Sequence, residues 1–106
     1  MENYDLALED LNRAIELDSG YMRAYYMRGN VLGEGFGDDL SAVEDYSRAI
    51  NLDPTFANAY YGRAFSYDIL GQVENAIADY NTFVELATPG DPLITQARQR
   101  LQELES

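Results

Sequence analysis

Apolar residues recur along this chain at spacings of three and four, the mark of helices that each bury one face. Tyr4, Ala7, Leu8, Leu11, Ala14 and Ile15 share one stripe. Ala42, Tyr46, Ala49 and Ile50 share a second, and Ala76, Ile77, Tyr80, Phe83 and Val84 a third. No segment alternates with period two for long enough to read as a strand. The pattern predicts six helices, at 3–17, 20–32, 39–51, 54–70, 73–86 and 92–104. Capping chemistry sets several of these limits. Asp53-Pro54 and Asp91-Pro92 each read as a cap acceptor followed by proline at the first helical position. Gly71 stands where a helix end needs a left-handed residue.

The stripes belong to a repeat. Leu-Asn-Arg-Ala-Ile-Glu-Leu-Asp at residues 11–18 returns as Tyr-Ser-Arg-Ala-Ile-Asn-Leu-Asp at 46–53, an offset of 35. Ala-Tyr-Tyr at 24–26 returns at 59–61 with the same offset. Ala42-Val43-Glu44-Asp45-Tyr46 returns as Ala76-Ile77-Ala78-Asp79-Tyr80 with an offset of 34. One extra residue therefore lies between the two helices of the middle unit, and the expected place is a loop, Gly33-Glu34-Gly35-Phe36-Gly37-Asp38.

These residues resemble the tetratricopeptide repeat, a helix-turn-helix unit of about 34 residues. Tyr25 and Tyr60 match the aromatic of its first helix, and Gly29 and Ala64 the small residue one turn on. Ala7, Ala42 and Ala76, then Ala14 and Ala49, match the small residues of its second helix, which let helix axes approach closely. Asp53-Pro54 matches the closing pair. The resemblance implies an all-α, right-handed α-solenoid of antiparallel helix hairpins forming one domain over 1–106. Residues 1–19 would be the second helix of a truncated repeat, 20–54 and 55–89 two repeats, and 90–106 a C-terminal capping helix. In that cap Leu93, Ala97, Leu101 and Leu104 would face the stack, with arginines and acids toward water. Phe83 departs from the pattern, since the earlier units carry Ala14 and Ala49 there, and it should change how the next helix docks.

Composition removes several chemistries. Cysteine and histidine are both absent, so disulfides, zinc sites on thiolate or imidazole, cysteine nucleophiles and histidine bases are excluded. The net charge is −12, and all seven cations are arginine. So acidic a chain repels nucleic acid and anionic membrane surfaces. No apolar run approaches the roughly 20 residues that span a bilayer, and no leader segment is read at the N-terminus. The compartment stays open, with the cytoplasm favoured. Glu34, Asp38 and Asp39 lie among glycines, but their spacing does not fit a calcium loop, and one of the aspartates is better used as a helix cap. No nucleophile, base and oxyanion site assembles, so no enzyme, metal or cofactor is expected.

Two residue groups remain. Arg28 and Arg63 hold equivalent places in the first helices, and Asp10, Asp45 and Asp79 in the second. That repetition predicts structural ion pairs between neighbouring helices, which as exposed pairs would contribute about 0–1 kcal/mol each. Tyr25, Tyr46, Tyr60, Tyr67 and Tyr80 fall on core stripes, whereas Tyr26 and Tyr61 point about 100° away. The resembled family lines its concave surface with first helices. The resemblance thus implies a peptide-binding groove of Arg23, Tyr26, Met27, Asn30, Asn58, Tyr61 and Phe65, with Gly62 beside them. Binding of acidic chaperone tails is disfavoured, because lysine is absent and Asn58 and Gly62 stand where cations would be needed. The expectation is a scaffold that binds a peptide or partner protein. The alternative is a self-association module, with a homodimer formed through the open face of helix 3–17.

Overall fold

The computed structural model describes residues 3–106, so residues 1 and 2 of the expected first unit lie outside the described residues. Six α-helices follow one another: α1 Tyr4–Leu17, α2 Met22–Asn30, α3 Asp39–Leu52, α4 Ala57–Ile69, α5 Val73–Leu86 and α6 Pro92–Glu105. They stack as antiparallel hairpins into an elongated α-solenoid of 42 × 25 × 25 Å. Among the described residues there is no strand, and no helix is long and apolar enough to cross a membrane.

The helix starts follow local hydrogen bonds. Asn3 caps α1 by accepting from the Leu6 N–H at 3.1 Å, and Asp91 caps α6 by accepting from the Leu93 N–H at 2.9 Å. Two starts differ from expectation. α2 begins at Met22 and α4 at Ala57, not at 20 and 54. An aspartate turn occupies both gaps: Asp18 Oδ1 accepts from the Gly20 N–H, and Asp53 Oδ1 from the Thr55 N–H and hydroxyl. Each turn is then locked by a core tyrosine, with the Tyr25 hydroxyl donating to the Ser19 carbonyl and the Tyr60 hydroxyl to the Pro54 carbonyl. Asp53 thus serves a turn before the helix, and Pro54 lies in that turn.

The surplus residue of the middle unit is not in a loop. α2 runs on as a π-turn, Val31–Gly35, whose wider winding absorbs one residue. The helix ends make this plain. After α4, Gly71 at φ +78° lets the Gln72 N–H close on the Tyr67 carbonyl. After the π-turn, Gly37 at φ +65° lets the Asp38 N–H close on the Leu32 carbonyl, one residue further back. A Cβ at Gly35 would lie 2.4 Å from the Tyr4 ring, so the π-turn can press on α1 only because residue 35 is glycine.

Two apolar clusters hold the stack. One joins α2, α3 and α4 through Tyr25, Ala49, Ile50 and Ala59. The other joins α4, α5 and α6 through Ala64, Ala76, Tyr80, Phe83, Ala97 and Leu101. Phe83 is completely buried beneath α6. In α1 no residue is fully buried, and Leu6 and Leu17 are 57% and 82% exposed.

Candidate functional site

The first and second helices of each unit are tied by bidentate ion pairs. Arg28 on α2 donates from Nε and Nη2 to both oxygens of Asp45 on α3, at 2.7 and 2.8 Å. Arg63 on α4 does the same to Asp79 on α5, at 2.7 and 2.9 Å. The hydrogen bond to the aspartate, above all, pushes both arginine pKa values up. The expectation of exposed pairs needs correcting: Asp45 and Asp79 are only 3% and 5% exposed. Asp10 is not brought into the ladder; it is exposed on α1 and has no arginine partner among the described residues. A third pair was not anticipated. Arg100 of α6, expected to face water, donates to both oxygens of Asp68 at 2.6 and 2.8 Å. That bond holds the Asp68 carboxyl below its ordinary pKa.

Between α2 and α4 lies a cleft of about 310 Å³. Of the sequence-predicted groove residues, Tyr26, Asn30, Asn58, Tyr61 and Phe65 line it, together with Gly62. Arg23 and Met27 do not. Arg23 stacks over the Phe56 ring at 5.3 Å, and Met27 faces a separate hollow beside Tyr4 and Leu11. Tyr26 and Tyr61 are half-buried, not free. Tyr26 packs edge-on against Phe56 at 4.9 Å, and Tyr61 against Phe83 at 5.0 Å, so both serve the fold and the cleft.

The cleft also takes residues that sequence reasoning assigned elsewhere. Tyr46 of α3 forms part of its floor, held between α2 and α4 where a Cβ on Gly29 or Gly62 would come within 2.9 or 2.7 Å of its ring. Its hydroxyl donates to Asn30 Oδ1. Burial pushes the Tyr46 pKa up, helped by the nearby charges of Glu34 and Asp39. Asp39, at the first turn of α3, is buried and accepts from the Ser66 hydroxyl at 2.9 Å. Asp38, not Asp39, caps α3 by accepting from the Ser41 N–H. Ile69 of α4 and Leu93 of α6 complete the apolar side. Among the described residues the Asn58 side-chain amide has no hydrogen-bond partner, and no arginine lines the cleft.

Known structures share this architecture. The type III secretion translocator chaperone SycD of Yersinia enterocolitica superposes with a TM-score of 0.90 at 18% identity, over 96% of this chain and 72% of SycD. The first TPR domain of Spaghetti, bound to an HSP90 peptide, gives 0.86 at 22% identity, over 96% of this chain and 77% of that one. MamA gives 0.80 at 27% identity, over 92% of this chain and 54% of MamA. No curated protein matches in sequence. A family model described as TPR repeat matches residues 37–68, and a second, described as tetratricopeptide repeat, matches 57–88. Together with the recurrent helix hairpins, these two overlapping matches over 37–88 show that the chain contains tetratricopeptide repeats.

Proposed function

We propose that the chain is a protein-interaction scaffold whose α2–α4 cleft receives a segment of a partner protein. The observation that carries this is a ready-made cleft with unspent recognition groups. Phe65 and Ile69 stand 52% and 59% exposed at its edge, beside the unpartnered amide of Asn58. Apolar anchors with a few polar groups suit a bound peptide. Likeness to the Spaghetti domain bound to an HSP90 peptide, and to SycD in complex with a peptide of the translocator YopD, supports the same manner of use. In this reading residues 20–54 and 55–89 are the two repeats and 90–106 the cap, with 1–19 as the second helix of a preceding unit. No catalytic role is assigned. The net charge of −12 argues against nucleic acid and anionic membranes as partners.

Peptides selected by display against the chain should lose roughly tenfold or more in affinity on Phe65→Ala, as interface anchors do. The melting temperature should stay nearly constant, because Phe65 is exposed. Binders indifferent to Phe65→Ala and Asn58→Ala would remove the cleft from consideration. The exposed Leu6 and Leu17 of α1 favour a second reading, self-association through that face. Light scattering at high concentration that shows a monomer rules it out.

A further inference from the structure

Among the described residues three aspartates are buried, and two of them come with a cation. Asp45 and Asp79 hold arginines with both oxygens, and so does Asp68. Asp39 is 8% exposed, yet its hydrogen-bond partner is the Ser66 hydroxyl and no cation approaches it among the described residues. A buried carboxylate without a counter-charge is costly. The N-terminus of α3 offsets part of that cost but supplies only a partial charge. The repeat itself does not demand an acid here. The equivalent positions, by the offsets of 35 and 34, hold Tyr4 and Val73. Asp39 and Glu34 both line the cleft, and the chain's arginines all lie outside it.

We propose that the missing cation comes from the ligand: the cleft takes a basic segment of a partner protein. A lysine or arginine side chain passes Glu34 to pair with Asp39 while a neighbouring apolar residue rests on Phe65 and Ile69. The inference rests on the cleft being the docking site. It separates this chain from the Spaghetti domain, whose bound HSP90 peptide SRMEEVD is acidic, since an acidic tail would meet Glu34 and Asp39 with no arginine to receive it.

The test selects peptides by display on the wild-type chain, with Phe65→Ala as counter-selection, and synthesises the best binder with its lysine or arginine replaced by norleucine. The expected result is a basic residue at one fixed position. Its replacement weakens binding to wild type by about tenfold or more, read by fluorescence anisotropy. Asp39→Asn causes a similar loss and makes the norleucine exchange nearly silent. Asp10→Asn, the same charge change on α1, leaves affinity within about twofold. Carbodiimide cross-linking of a lysine-bearing binder to the wild-type chain should map to Asp39 or Glu34, which keeps the assignment testable even if Asp39→Asn fails to fold. Phe65-dependent binders with no basic requirement, or a basic requirement that survives Asp39→Asn, overturn the proposal and leave the docking reading intact. If no Phe65-dependent binder emerges, both fall.

Discussion

Removing the Arg63 guanidinium should unmask how much of this stack depends on charge. Arg63 covers both oxygens of Asp79, bonds Ser47 Oγ through Nη1 at 3.0 Å, and lies 5.9 and 5.8 Å from the rings of Tyr60 and Tyr67. Arg63→Met keeps most of the stem but leaves Asp79, 5% exposed, as a buried charge with two empty acceptors. Such an orphan costs about 3–5 kcal/mol, a large share of the 5–15 kcal/mol that holds a typical domain. Arg28→Met should cost nearly as much, because Asp45 is equally enclosed. Arg100→Met should cost much less, since that side chain is 42% exposed and solvent screens its pair with Asp68. The decisive variant removes both partners. Arg63→Met with Asp79→Leu leaves no buried charge, and should recover to within about 1–2 kcal/mol of wild type. Urea unfolding at constant slope measures all four. If Arg63→Met costs no more than Arg100→Met, or the double variant is no better than the single one, then burial of the Asp79 charge is not what the arginine offsets.

Two further outcomes are expected. Gly62→Ala gains about 1 kcal/mol of helix propensity but forces a Cβ to within 2.7 Å of the Tyr46 ring, which Gly29 confines from the other side. Overpacking of about 1–3 kcal/mol should win, so a net loss in urea stability is expected, and a variant as stable as wild type would show that the ring can move. The hydrogen bond from Arg100, then that from Tyr80, lowers the Asp68 pKa on folding. A lowered folded pKa means that its contribution is complete above the unfolded value near 3.9 and is lost as pH falls through the folded value. Asp68→Asn should therefore reduce stability at neutral pH and flatten the acid limb below about pH 4. A limb unchanged by the substitution would mean that the pair does not survive in solution.

Much of the fold was legible because each unit restates the same helical pattern, so that one ambiguous stretch is settled by its counterpart. The misread starts of α2 and α4 show the limit. Asp53-Pro54 looks like a cap followed by the first helical residue, yet Asp18-Ser19 makes an equivalent turn without proline, and in both the aspartate closes on the backbone two residues later. The surplus residue was visible as a change of offset, but three glycines read as a loop. The helical winding there lies directly against Tyr4, a residue about thirty positions away. The helical phase of α2 and α4 located five cleft residues and misplaced Arg23 and Met27, because Phe56 draws Arg23 aside and α1 claims the hollow beside Met27. Asp39 and Leu93 escaped because they approach the cleft from positions read as cap or end helix. One signal was present for Asp39: an acid at a register position that is aromatic or aliphatic in the neighbouring units.

Tyr46 serves the stack and the cleft at once. Its ring sets the separation of α2 and α4 by filling the space that Gly29 and Gly62 leave open, and the same ring floors the cleft. Core packing therefore sets the width of the cleft, and in the proposed docking role a bound segment would have little of this chain to order. That preorganisation also divides the residues by consequence. Changes at Tyr46 or Gly62 should lower stability and affinity together, because they alter the spacing of two helices. Changes at Phe65 or Asn58 touch only the open side, so they should lower affinity alone. In the proposed docking role, a cleft whose walls are set by the repeat, and whose recognition lies in a few side chains the repeat does not require, could change partners without changing its fold.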